Sequence, residues 1–298
     1  MGKRGRLTKN ARDNLIGYGL ILPSLVVLFA IGIVPILITV SYSFQYKVLT
    51  DPLSTHFVGL ENYITLFKNN IFMESLKNTM IFAILSIAFQ MAIGLAGALL
   101  MSNARRGVGL VRTAILIPWA IPGIIVAYMF SFMFNDSLGV INQLLQTVGL
   151  IDAPVAWLTN RGTAMLAVVL ADTWKQFPYV ALMLLAGLQT IPGELYESAK
   201  VDGAGRFRIF LSITLPNLKG VLLIVLLFRT MGAIRIFDII FGITGGGPGN
   251  STATLLYQAY KYLFGDMNFG LGSALSTIIT LIILLLSVLY IKFLRPDD

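Results

Sequence analysis

The sequence predicts an all-α, polytopic membrane protein with six transmembrane helices, and three observations predict it. Hydrophobic residues make up 56% of the 298-residue chain and charged residues 12%, a balance far from that of a domain solvated by water on all sides. The apolar residues gather into six runs, each long enough to cross about 30 Å of hydrocarbon, which takes about 20 residues of helix. The lysines and arginines between the runs are sorted by side, fourteen against five.

The first run is drawn from Ile16 to Tyr42; the apolar stretch there, Leu15 to Val40, greatly exceeds the ~7–15 apolar residues of a secretory signal and lacks an Ala-x-Ala cleavage site, so it reads as a retained helix. Thr79 to Met101, Ala114 to Phe134, Ala164 to Leu188, Val221 to Ile243 and Gly270 to Phe293 are the other five. Each is expected as one helix, because hydrocarbon offers no partner to a free backbone N–H or C=O and these runs exceed a membrane β-strand in length. Pro23, Pro35, Pro118, Pro122 and Pro178 fall inside the runs, so kinks are expected where neighbours satisfy the freed carbonyls.

The segments between runs carry their own signals. Leu60, Tyr63, Ile64 and Phe67 recur at helical spacing, and Leu144, Leu145 and Val148 do so more weakly, which suits short helices lying along an interface. One side holds Lys3, Arg4, Arg6, Lys9 and Arg12 in the amino-terminal tail, then Arg105, Arg106 and Arg112, then Lys200, Arg206, Arg208 and Lys219, with Lys292 and Arg295 at the end. The other side holds only Lys47, Lys68, Lys77, Arg161 and Lys261. Positive residues accumulate in the cytosol, so both termini are expected there, as an even number of spans requires.

Composition excludes several classes of chemistry. Without cysteine there is no disulfide framework, thiol nucleophile or cysteine metal site, and the single histidine, His56, receives no role. The net charge of +8 sits in clusters beside apolar runs and forms no stripe for nucleic acid. No metal site, cofactor site or catalytic constellation is recognisable. The run Gly245-Gly246-Gly247-Pro248-Gly249 lacks the Gly-Lys-Ser/Thr continuation of a phosphate loop. An enzyme is therefore not expected.

The segment 189–220 is the most informative. Pro192 suits a first helical turn, Glu194 favours the positive helix end, Gly203 supplies a left-handed stop, and Asp202 is placed to cap the next helix. In that second helix Ala204, Phe207, Phe210 and Leu211 share a face, which fits either a groove on another protein or packing on its own bundle. Within it Glu197-Ser198-Ala199, Asp202-Gly203-Ala204 and Ile213-Thr214-Leu215-Pro216 together resemble the EAA loop of ABC import permeases, with Ser198 in place of the usual second alanine. Phe237-Asp238, Thr244 to Pro248 and Pro118-Trp119-Ala120-Ile121-Pro122 resemble the carbohydrate branch of that family, the maltose-type inner-membrane subunits.

The resemblance implies one permease domain over 1–298 with the type I importer fold, a basic cytosolic tail at 1–15 and a coupling loop at 189–220. It implies a multi-pass protein of a prokaryotic plasma membrane that forms half of a pathway for a sugar or oligosaccharide. The implied partners are a second permease, two cytosolic ATPase subunits that hold ATP and magnesium, an extracytoplasmic sugar-binding protein and the bilayer. Glu197, Ala199, Asp202, Gly203, Ala204 and Phe207 would meet the ATPase, and Gly245, Gly246, Gly247 and Pro248 the binding protein.

Ionisable groups inside the spans need partners or water, which marks Asp172, Lys175, Arg229, Arg235 and Asp238. Asp172, Gln176 and Tyr179 share a helix face flanked by Trp174 and Lys175. These groups suit a saccharide through ring stacking and hydroxyl hydrogen bonds, and equally suit structural pairing, Asp172 with Arg229 for example. The cations also suit an anionic cargo, a glycerol phosphate or a uronate. An ion-coupled secondary transporter would instead use Asp172 or Asp238 to carry the driving ion.

Overall fold

A computed structural model describes residues 9–103 and 108–294. Lys3, Arg4, Arg6, Arg105, Arg106 and Arg295 of the charge count lie outside the described residues. The chain opens with α1 (Lys9–Leu28), a π-helical turn at Phe29–Ile33 and α2 (Val34–Ser43), which form one long helix with an apolar stretch at Gly17–Ser43. A small antiparallel hairpin of β1 (Gln45–Tyr46) and β2 (His56–Phe57) leads to α3 (Glu61–Lys68) and α4 (Asn70–Asn103). Next come α5 (Val108–Ala120), α6 (Gly123–Met133), α7 (Val140–Thr147) and α8 (Arg161–Gln189). Then α9 (Gly193–Val201) turns into α10 (Arg206–Ile209), and a π-helical turn joins that to α11 (Leu215–Ile234). The chain closes with α12 (Asp238–Ile243), α13 (Leu255–Tyr260) and α14 (Phe269–Leu294).

Two expected spans are broken. The run from Ala114 to Phe134 forms α5 and α6, bent by 91°. Pro122 disfavours a helical conformation at Ile121 and has no N–H to donate, so the helix stops there and restarts at Gly123. The run from Val221 to Ile243 also fails to form one helix, because α11 ends at Ile234 and Phe237 takes φ −134° before α12 begins. No proline or glycine lies between Arg235 and Phe237 to announce that break.

By length and apolar composition, four helical stretches among the described residues can cross a membrane: Gly17–Ser43, Asn70–Ser102, Arg206–Ile234 and Phe269–Phe293. The bent pair makes a fifth. The 29-residue α8 is long enough, but the polar stretch from Asp172 to Gln176 interrupts its apolar composition. With α8 counted, the structure is compatible with six crossings.

Lipid tails are as apolar as leucine, so close van der Waals packing and internal hydrogen bonds hold such a bundle together. α4 and α8 make the most extensive helix pairing, and glycines let them touch. A Cβ on Gly94 would sit 2.6 Å from Cγ1 of Val180 and 3.2 Å from the backbone nitrogen of Ala181. We therefore expect Gly94→Leu to destabilise the bundle by about 1–3 kcal/mol or more, read as a lower Tm in detergent. A Cβ on Gly97 would meet Ala181 at an ordinary 3.5 Å. Gly97→Ala should leave Tm unchanged or slightly raised, because alanine is the better helix former.

Three buried apolar clusters result from this packing. The first joins Phe82 of α4, Val126 and Phe130 of α6, Val168 of α8 and Ile240 of α12. The second joins α4, α8 and α11 through Ala98, Val180, Leu184 and Leu218. The third seats Leu275 of α14 against Phe72, Ile234 and Leu255. The stretch Gly17–Ser43 buries almost none of its apolar length against the rest of the chain.

Candidate functional site

A polar knot lies between the first two clusters. Ser86 and Gln90 stand four residues apart on α4, so both face the same neighbour. Asp172 Oδ2 of α8 accepts from Ser86 Oγ at 2.5 Å and from Gln90 Nε2 at 2.8 Å, and lies 3.5 Å from Nη2 of Arg229 on α11. Arg229 Nε donates to Gln90 Oε1 at 2.6 Å. The side chains of Arg229 and Asp172 are 8% and 1% exposed, so this is a buried ion pair tied by an amide and a hydroxyl to a third helix. Pairing of Asp172 with Arg229 is one of the two arrangements the sequence allows. Ser86 and Gln90 are not among the residues it singles out, although two polar side chains at helical spacing in an apolar run are the available signal.

Beside the knot is a cavity of about 200 Å³ at the two helix breaks. Its wall brings together Asp172, Lys175, Gln176, Arg235 and Asp238, five of the eight residues expected along a pathway. Lys175 Nζ donates to the carbonyl of Ile121 at 2.7 Å and to that of Trp119 at 3.4 Å, which satisfies carbonyls that the break leaves without helical partners. Asp238 Oδ2 crowds the restart of the span, 2.6 Å from where a Cβ on Gly123 would sit. Arg235 Nε donates back to Met231 O at 3.3 Å, and the rest of its side chain is exposed.

The other three pathway candidates stand apart from that wall. Arg229 belongs to the knot, Trp174 packs on Phe130 with ring centroids 5.5 Å apart, and Tyr179 stacks on Trp119 at 6.2 Å. An aromatic group that sequence spacing does not assemble continues the wall. Phe237 contacts Phe241, Tyr257 and Tyr260 with centroids 5.3, 6.3 and 4.8 Å away, and Tyr260 meets Phe264, which is 60% exposed.

At the start of α8, the segment from Gly245 to Gly249 is a knitted turn. Gly245, Gly246 and Gly249 have φ of +55°, +80° and +53°, values that favour glycine. Tyr257 donates to Gly245 O at 2.6 Å, Thr252 to Gly247 O at 2.8 Å, and Arg161 to Gly249 O at 3.0 Å. Burial pushes the Tyr257 phenol up, with neighbouring Tyr260 acting in the same direction, so it stays a proton donor at neutral pH. Gly246 is buried against the Tyr257 ring, Gly247 and Pro248 are half-buried, and Gly245 and Gly249 are exposed.

The opposite end of α8, about 40 Å away at 1.5 Å per residue, leads into α9. Pro192 precedes the first turn as its N-cap, and Glu194 sits inside that turn. Asp202 ends α9 and does not cap the next helix; the N-cap of α10 is Gly205. The reason is the position of Gly203, whose φ of +74° makes it the left-handed residue just beyond the helix. Its N–H donates to Lys200 O at 3.0 Å and that of Ala204 to Ala199 O at 2.9 Å, the paired bonds of a Schellman motif.

The second helix of this loop is no separate element, since α10 runs through the π-helical turn into α11. Tyr196 OH lies 3.2 Å from Thr214 Oγ1 and packs with Ile213 on the second cluster, which fixes α9 to the bundle. Glu197, Asp202 and Gly203 face outward, Ala199 and Ala204 are half-buried, and Phe207 is 75% exposed. Ser198 Oγ donates to Glu194 O at 3.0 Å, so the hydroxyl that replaces a family alanine is satisfied within its own helix.

Residues 90–296 match the family described as binding-protein-dependent transport system inner membrane component. The chain is 41% identical to the trehalose/maltose transport system permease protein MalF of Thermococcus litoralis, over 94% of each chain. It is 36% identical to the sulfoquinovosyl glycerol transport system permease protein SmoG of Agrobacterium fabrum, over 96% of this chain and 92% of that one. It is also 36% identical to the sn-glycerol-3-phosphate transport system permease protein UgpA of Pectobacterium atrosepticum, over 95% of each. A chain from the solved bacterial ABC transporter involved in import of the acidic polysaccharide alginate has the same fold, with a TM-score of 0.82, 22% identity, and coverage of 96% and 97%.

Proposed function

The chain belongs to the binding-protein-dependent transport inner-membrane family, and from that premise we propose that it is the permease subunit of an ATP-driven carbohydrate importer, forming half of the pathway. The observation that carries this reading is the outward-facing helix–turn–helix at the end of α8, closed by its Schellman motif and presenting Phe207. A rigid element of that kind, joined to α8 by a short turn and continuous with α11, passes closure of a docked ATPase into the bundle as rigid-body motion. In this reading the ATPases hold ATP and magnesium, a second permease completes the pore, and the binding protein meets the glycine-rich turn. The loop and both termini lie in the cytosol of a prokaryotic cell.

Neutral saccharides are the favoured cargo. Lys175 and Arg229 are already engaged, one by backbone carbonyls and the other by Asp172, which leaves Arg235 and Asp238 as exposed opposite charges at the cavity. Phe237, Phe241 and Tyr260 offer apolar faces on which a pyranose ring stacks. The transport systems of the relatives are named for trehalose/maltose and for sn-glycerol-3-phosphate, so the direct test compares neutral with anionic cargo. The importer is reconstituted in vesicles with its ATPases, second permease and binding protein. Uptake of neutral di- and trisaccharides is expected to need ATP and to ignore ionophores. Uptake driven by an ion gradient without ATP would refute the importer reading, and preferential uptake of glycerol phosphate or uronates would refute the cargo.

A further inference from the structure

We propose that Lys175 is a positioning residue, a strut by which α8 holds the bend of the third span in register with the coupling loop; this rests on the importer reading. Four observations meet at this side chain. It sits near the middle of α8, where a charged group is expensive unless it finds partners. It spends its ammonium on two backbone carbonyls, Ile121 O at 2.7 Å and Trp119 O at 3.4 Å, and forms no ion pair among the described residues. Those carbonyls stand at the end of α5, where the span turns by 91°, so a cation there complements both the freed acceptors and the negative end of the helix. The same helix runs without a break to Gln189 and, after a short turn, into α9.

The mechanical consequence is specific. α8 carries the coupling helix at one end and Lys175 within the membrane, while α6 begins beyond the bend against Asp238 of α12. Movement of α9 therefore displaces α8, and Lys175 carries that displacement to Ile121 and hence to the wall of the 200 Å³ cavity. Without the strut, Trp119 on Tyr179 and Phe130 on Trp174 still seat α5 and α6 against α8, but the bend between them at Pro122 is no longer tied to it. Nucleotide-driven closure then continues but no longer sets the cavity. Contact with cargo is not required for this role.

The test uses the complete reconstituted importer and compares Lys175→Met with Lys175→Arg. Methionine keeps an unbranched apolar chain one atom shorter and removes every donor, whereas the guanidinium retains donors for both carbonyls. For Lys175→Met we expect ATP hydrolysed per cargo molecule to rise about tenfold, with the half-saturating cargo concentration within about twofold of the wild type. Lys175→Arg should keep the ratio within about twofold. A raised half-saturating concentration at an unchanged ratio would make Lys175 a cargo contact and overturn the proposal, as would no change in either quantity. If Lys175→Met does not assemble, Lys175→Gln, with one donor group, carries the test. An intermediate ratio supports the strut and a wild-type ratio overturns it. A wild-type complex that moves cargo without hydrolysing ATP would instead refute the importer reading itself.

Discussion

Arg229→Met is expected to lower the stability of the chain by about 3–5 kcal/mol, the usual result of removing one partner from a buried ion pair. Asp172 is 1% exposed, and without Arg229 its carboxylate keeps only Ser86 and Gln90. Gln90 Oε1 also loses the donor that orients its amide. Three helices meet at this knot, so the loss spreads beyond one contact. The double variant Arg229→Met with Asp172→Leu should recover much of the loss, because an apolar pair of similar volume needs no desolvated charge. The check is a double-mutant cycle on Tm in detergent, with a coupling of at least about 1 kcal/mol between the two positions. A single variant as stable as the wild type would show that the knot does not hold α4, α8 and α11 together.

Gly203→Pro should leave the chain in the membrane yet abolish capture of the ATPase and all uptake. Proline fixes φ near −65°, whereas Gly203 stands at +74°, and it deletes the N–H that donates to Lys200 O. Both errors fall on the residue that sets the angle between α9 and α10, while the first and third clusters lie elsewhere and the second meets the loop through Tyr196 and Ile213, away from Gly203 itself. Gly203→Ala is the graded control. Nothing lies within 4 Å of its added Cβ, so only the left-handed backbone opposes it. A penalty of about 1 kcal/mol weakens ATPase recovery by about fivefold at most. Normal uptake by Gly203→Pro would contradict the docking role of this loop.

Apolar runs and charge sorting made the helical membrane architecture legible, because hydrocarbon length and backbone satisfaction leave few solutions. They did not show where a run folds back. Pro122 marked one break, but not that Lys175 reaches over from α8 to the freed carbonyls, a contact between residues more than fifty positions apart. The break before Asp238 had no local signal; Phe237 sits there among Phe241, Tyr257 and Tyr260, and tertiary stacking outweighs helix periodicity. In the coupling loop, Asp202 had the chemistry of an N-cap, but Gly203 set the frame one residue later. Individual polar residues were legible as expensive, and their division between a structural knot and an open cavity was not. That division depends on Ser86 and Gln90, which carry no charge to attract notice.

Docking of a cytosolic ATPase on the loop between α8 and α11 is the centre of the proposed function, and a cross-link tests it most directly. The sequence has no cysteine, so Ser198→Cys, exposed on α9, introduces a unique thiol. A short bifunctional thiol-to-amine cross-linker is applied to membranes holding the whole importer. The expected result is a single major adduct between this chain and the ATPase subunit, insensitive to membrane-impermeant thiol reagents added outside intact cells. Labelling of that thiol from outside, or an adduct with the binding protein in place of the ATPase, would contradict it.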